Sequence, residues 1–337
     1  MIHQKEKSHI GRGAAQAVIG WAMAFLFVFS AIAQDKGASP AVSSSRTLKL
    51  TGYTQALSTA QSAGTDGRVI RRERFSLAGE ILKNVKFKVH IDLLKNPVLL
   101  DAQIDWTLAK AAVVRFGQFK IPFSLESTAS DADLDMIDRS QVVNKIAPGW
   151  DIGANGRDMG VVLAGQYSIF EYALGTFNGA GINKADTNDH KDLSARLVVR
   201  PLGGFSIGAS YYDGLYSTAA GAPRTVRERI GGEASWVTDS YSVKAEYIRG
   251  KDAAVSRDGG YVQAGVFVLP KKLQVLLRYD AYDKDRSGPG DRIDAYTAGV
   301  NWHLAERNKL QVDYLVFRGE SGSTLNRVLE TQFQLSL

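Results

Sequence analysis

The 337-residue chain holds no cysteine, so a disulfide framework and a lipid-modified N-terminal cysteine are both excluded. Histidine is scarce as well. His3 and His9 sit near the start, leaving His90, His190 and His303. There is no His-x-x-x-His pair and no Gly-x-Ser-x-Gly elbow, which removes the usual sequence signatures of zinc and serine hydrolases. Gly153, Gly156 and Gly160 are the nearest approach to a nucleotide loop, and no helical pattern follows them. Charge of one sign is not concentrated either: beyond residue 33 there are 38 basic and 34 acidic residues, dispersed along the chain. A nucleic-acid partner would call for a clustered basic face. Long apolar runs are confined to residues 17–33, short of the ~20 residues a spanning helix needs. Lys5, Lys7 and Arg12 precede this run, and Ala31-Ile32-Ala33 closes it before Gln34. These are the parts of a secretory leader, so residues 1–33 read as a cleaved signal peptide.

What the chain does have is alternation. In Val85-Lys86-Phe87-Lys88-Val89-His90-Ile91-Asp92 apolar and polar residues take turns, and a strand sends successive side chains to opposite faces. The pattern recurs at 46–58, 69–82, 84–94, 98–108, 111–119, 158–166, 168–177, 192–201, 204–214, 227–238, 240–250, 260–269, 272–283, 292–303, 307–317 and 326–337. Connections after even-numbered strands are brief, such as Tyr167, Leu202-Gly203 and Pro270-Lys271. Those after odd-numbered strands are mostly long and rich in Gly, Asp, Ser and Asn: 59–68, 178–191, 215–226 and 251–259, with 95–97 the exception. Short turns on one rim and long loops on the other predict an all-β fold, a transmembrane antiparallel β-barrel of sixteen strands in the bacterial outer membrane. Residues 34–45 would form an N-terminal tail and 46–337 the barrel.

Phase separates the two faces. Phe75, Leu77, Ile104, Trp106, Phe170, Tyr172, Ala234, Trp236, Val300, Trp302, Phe333, Leu335 and Leu337 share the lipid side. Arg72, Arg74, Lys86, Lys88, Arg115, Arg196, Arg200, Arg227, Arg229, Lys244 and Arg278 share the lumen with Asp101, Asp105, Glu171, Glu233, Glu246, Asp280 and Asp313. Opposed charges facing water produce a transverse field, and basic clusters on strands 2 and 3 favour anions locally. One connection, 120–157, is too long for an ordinary loop and is expected to fold inward as a constriction, since a sixteen-stranded bore is otherwise wide. Its centre, Ser130 to Arg139, is acidic and helix-compatible. The Asp131-x-Asp133-x-Asp135 spacing lacks the turn glycine and bidentate glutamate of a calcium loop, so it reads as a solvated acidic helix face. No metal or cofactor is expected.

The run Val114-Arg115-Phe116-Gly117-Gln118-Phe119-Lys120-Ile121-Pro122-Phe123-Ser124-Leu125-Glu126 is followed by Asp138-Arg139-Ser140 and by Ala147-Pro148-Gly149-Trp150-Asp151-Ile152-Gly153. With Arg71-Arg72-Glu73-Arg74-Phe75 and Tyr296-Thr297-Ala298-Gly299-Val300-Asn301-Trp302, it resembles the phosphate-selective porin O and P family. The likeness extends over essentially the whole chain beyond the leader. It implies a homotrimeric outer-membrane porin for passive diffusion of small solutes, delivered by the barrel-assembly machinery. Inward arginines would guide anions such as phosphate to a lysine in the constriction. By motif position Arg71 and Arg72 match the basic pair at the mouth of strand 2, and Lys120 matches the start of the constriction loop. Arg74, Lys86, Lys88, Arg115, Arg196, Arg200, Arg227 and Arg229 complete the expected anion-guiding set. The loop is acidic, however, and strand 8 offers only Arg196 and Arg200, so a size-limited porin without phosphate selectivity is the alternative. A rim-active enzyme and a non-conducting adhesive barrel are the readings from other classes.

Overall fold

A computed structural model describes residues 48–217, 219, 221–305 and 307–337; the expected leader and tail lie outside these. The strands are β1 (Leu48–Gln61), β2 (Gly67–Leu82), β3 (Val85–Asp92), β4 (Leu99–Ala109), β5 (Ala112–Lys120), β6 (Arg157–Tyr167), β7 (Phe170–Phe177) and β8 (Asp192–Leu202). They continue as β9 (Phe205–Ser217), β10 (Arg224–Val237), β11 (Tyr241–Asp252), β12 (Val255–Leu269), β13 (Leu273–Asp283), β14 (Arg292–Ala305), β15 (Asn308–Gly319) and β16 (Thr324–Ser336). Each pairs antiparallel with its chain neighbours, and β1 closes on β16 to complete a barrel. Closure leaves no backbone edge for lipid to meet, which is what allows strands to cross a bilayer.

The faces follow the alternation. Along β13, Gln274, Leu276, Arg278 and Asp280 point inward and are buried, while Val275, Leu277 and Tyr279 point outward. Leu277 is 63% exposed, a loss in water but a gain against acyl chains. Trp106, Trp236 and Trp302 bound this apolar band toward the short turns. Tyr247, Tyr279, Tyr296 and Tyr314 bound it toward the opposite rim, so the rings mark the two headgroup levels.

Three expectations are corrected. Residues 251–259 are not a long loop: β11 runs to Asp252, β12 starts at Val255, and only Ala253-Ala254 join them. β1, β2, β9 and β10 likewise reach further than expected. Above the bilayer both faces of a strand are wet, so the alternation fades and polar, glycine-rich composition resembles a loop while the ladder continues. The second correction is a bulge in β2. Arg72 pairs with Gln55 and Ile70 with Ala56, leaving Arg71 as an extra residue. The bulge breaks strict alternation and turns the side chains of both Arg71 and Arg72 inward.

The third concerns the acidic centre of the long connection, 121–156. It contains α1 (Leu125–Thr128), a single 3-10 turn (Asp131–Asp133) and α2 (Gln141–Ile146). Ser124, Ser130 and Ser140 cap these three turns through their side chains, satisfying amide groups that would otherwise lack partners. Asp131 is 3% exposed and is surrounded by arginines rather than water. There is no solvated acidic helix face.

This connection lies inside the ring of strands. Ile121, Phe123, Val142, Val143 and Ile146 pack against the inward side chains Val162, Phe177, Tyr212, Ile248 and Tyr282. Each buried aliphatic or aromatic side chain contributes about 1.5–3 kcal/mol. Polar ties fix the segment to the far wall. The Asp280 carboxylate accepts from Gln141 N (2.6 Å), and Asp313 accepts from Ile137 N (2.7 Å). Asn301 donates to Asp135 O (2.7 Å), and Lys309 donates to Leu134 O (2.6 Å). Arg278 meets Glu126 at 2.5 Å.

Candidate functional site: a charged cavity in the lumen

The loop does not fill the bore evenly. Its ties to β9–β16 leave a cavity of about 590 Å³ against the inner wall of β2–β8. Six cations line it, Arg74, Lys88, Arg115, Lys120, Arg157 and Arg196, with four carboxylates, Asp101, Asp105, Asp131 and Glu171, and the ring of His90. The lining therefore carries an excess of two positive charges before His90 is counted.

Register explains the grouping. Lys88, His90 and Arg157 converge on Asp101, at 2.9, 3.1 and 2.5 Å. Two cations share one carboxylate here, so one positive charge is left uncompensated. Arg115 lies across the β4–β5 ladder from Asp105 and grips it through two bonds, 2.7 and 2.9 Å. The Arg115 guanidinium also lies 5.5 Å from the centroid of the Phe119 ring. Arg196 pairs with Glu233 and stands 3.7 Å from Glu171. Lys120, the last residue of β5, faces Arg157, the first of β6. Its Nζ donates to the carbonyl oxygens of Ser127 (3.0 Å) and Ala129, and among the described residues it forms no ion pair. Neutral acceptors thus orient this ammonium, and Asp131 acts on it through space.

Asp131 is the counterweight. Arg74 and Arg139 donate to its carboxylate, and Arg72 stands 3.4 Å away. Burial by itself pushes this carboxyl up, but Arg72, Arg139, Arg74 and Lys120 hold it well below the usual carboxylate range, so it stays ionised. Asp133 turns to Arg307 (3.0 Å) and Asp135 to Lys244 (2.5 Å). The three aspartates diverge, Asp131 to three arginines and Asp133 and Asp135 to one cation each, and among the described residues no cluster of His, Asp or Glu is arranged to hold a metal ion.

Of the residues singled out in the sequence, Arg74, Lys88, Arg115, Lys120 and Arg196 gather at the cavity. Arg71 and Arg72 are not in that lining: Arg71 pairs with Asp138, and Arg72 donates to Gln55 and stands 3.4 Å from Asp131. Arg227 and Arg229 are buried against Asp151 (2.6 and 2.9 Å), tying down the loop rather than lining the cavity. Lys86 and Arg200 sit near the short turns; Arg200 pairs with Glu171 at 2.7 Å, and Lys86 forms no ion pair among the described residues. Sequence reasoning missed Arg157, His90 and the role of Asp131. For Arg157 a signal existed: residues flanking a long loop between neighbouring strands must face one another, as Lys120 and Arg157 do.

Against known proteins, the model of the family described as "Phosphate-selective porin O and P" matches residues 52–222 and 209–336. The chain belongs to the phosphate-selective porin O and P family. It is therefore an outer-membrane porin, and family and fold point to a channel rather than an enzyme. No curated protein sequence matches it. Among solved structures, the anion-selective porin from Comamonas acidovorans aligns with a TM-score of 0.68 at 14% identity, over 87% of this chain and 100% of that one. OmpT of Vibrio cholerae aligns with 0.65 at 11%, over 89% and 100%. The outer-membrane channel DcaP of Acinetobacter baumannii aligns with 0.62 at 12%, over 89% and 100%. At these identities the likeness is one of fold.

Proposed function

We propose that this porin is a passive diffusion channel that prefers anions, that the cavity against β2–β8 is its passage, and that the infolded loop is its constriction. The observation that carries this reading is Lys120, a cation held by two carbonyls in a lining where cations outnumber carboxylates. In a narrow, partly desolvated passage an ammonium attracts an anion far more than it does in bulk water, because the effective dielectric falls. The anion selectivity of the Comamonas acidovorans porin supports the same reading. A homotrimer is part of the proposal, since one OmpT structure is described as a trimer form.

A second reading, a size-limited channel without phosphate selectivity, is favoured by the four carboxylates in the same lining. They repel a doubly charged oxyanion more than a singly charged one. The test of the main proposal is the permeability ratio from planar bilayers at low salt. Lys120→Glu is expected to lower the anion-to-cation ratio, while Lys251→Glu, at the outer end of β11 and screened within a Debye length of ~10 Å at 0.1 M, leaves it near the parent value. Equal ratios in all three proteins would remove Lys120 from the account.

A further inference from the structure

One part of the cavity wall breaks the rule that the lumen of a conducting barrel is polar. Val113 on β5, Ala164 on β6, Ala173 on β7 and Arg196 on β8 are successive cross-strand partners in one row, and all four line the cavity. Phe119 and Pro122 join them. Directly above, Val162 is covered by the loop core. Val113, Ala164 and Ala173 are only partly buried; Ala164 and Ala173 touch the loop core on one side and the cavity on the other. The patch is framed by guanidinium groups, Arg196 at one end and Arg115 in the next row. Lys88, Lys120 and Arg157 complete the charged side of the same cavity. The walls are thus divided, one apolar and one charged, where cations outnumber the carboxylates Asp101, Asp105, Asp131 and Glu171.

Such a cavity matches a solute that is itself divided. An inorganic anion uses only the charged wall and leaves the apolar patch in contact with water. A carboxylate attached to a small apolar or aromatic body uses both, because its body displaces water from the cavity side of Val113, Ala164 and Ala173 while its charge stays beside the cations of the same lining, where Lys88 and Arg157 share the single carboxylate of Asp101. We infer that the passage favours small amphipathic organic carboxylates over inorganic anions of similar size. The inference rests on the reading of this cavity as the anion passage.

The experiment uses the full-length protein in planar bilayers at pH 7, with potassium benzoate and potassium phosphate added in turn to a chloride bath. Benzoate is expected to occupy the passage and reduce the chloride current at lower concentration than phosphate. The variant Val113→Thr, Ala164→Ser, Ala173→Ser keeps every charge and nearly every volume. Its benzoate concentration for half reduction should rise by about tenfold, with that for phosphate unchanged. Benzoate acting equally on the parent and this variant would overturn the inference while leaving anion preference intact. A chloride-gradient reversal potential without anion preference would overturn both. Since the variant must first be shown to conduct chloride as the parent does, Ala164→Ser alone provides the milder comparison, with the same direction expected.

Discussion

At the scale of single residues, the proposed passage rests on groups whose charge is either held by neutral acceptors or shared among several partners. Lys120 is of the first kind and Asp131 of the second. Asp131 neutralises parts of three arginines that converge from β2 and from the loop itself. Removing one member of a buried ionic cluster leaves the others unpaired, at a cost of about 3–5 kcal/mol, so Asp131→Asn should lower the urea midpoint of the folded barrel in vesicles at pH 7. The pH dependence has a definite sign. The folded carboxyl is held below its ordinary value of 3.8, so its contribution is complete above that value and is lost as pH falls below it. The gap between parent and variant should therefore narrow on acidification; a gap that widens would contradict this assignment. The sequence indicated the lumen cations by phase alone. It did not indicate which carboxylate each would meet, because Asp131 and Asp151 reach theirs through the fold of the loop. That is why Arg227 and Arg229, inward as expected, turned out to hold Asp151 instead of lining the cavity.

At the scale of elements, the sixteen strands were legible wherever one face meets lipid and the other water, since only there does a period of two appear in the sequence. The upper ends of β11 and β12 were not, because both faces are wet. The bulge at Arg71 was hidden for another reason: an extra residue looks like a lapse in the pattern until the partner register is known. The lipid face itself can be tested at Leu277, which lies between Ala264 and Ala298 on neighbouring strands. Leu277→Arg should destabilise the barrel by about 2–4 kcal/mol, the cost of a cation near the bilayer midplane, and an unchanged urea midpoint would mean the face is misassigned. Topology is tested from outside the cell. Cysteine at Lys184 or Ser287, both exposed on the rim of longer connections, should react with an impermeant thiol reagent on intact cells. Cysteine at Asp239, in a short turn, should not; the reverse pattern would invert the molecule.

At the scale of the whole molecule, a closed barrel supplies a rigid wall and the infolded loop divides its interior into a packed half and an open half. The packed half spends its polar groups on the loop: Glu126 with Arg278, Gln141 with Asp280, Ile137 with Asp313. The open half, along β2–β8, keeps its charges facing a cavity. The loop docks where the inward face is apolar, at Val162, Phe177, Tyr212, Ile248 and Tyr282, and its polar ties to β13–β15 draw it toward that side. In the proposed function, anion preference follows from the excess of cations over carboxylates in the lining of the open side. The most direct measurement is the reversal potential of the purified parent protein in a planar bilayer under a potassium chloride gradient at low salt. The predicted sign is that of chloride permeating faster than potassium; a potential of the opposite sign, or a barrel that does not conduct, would contradict the account.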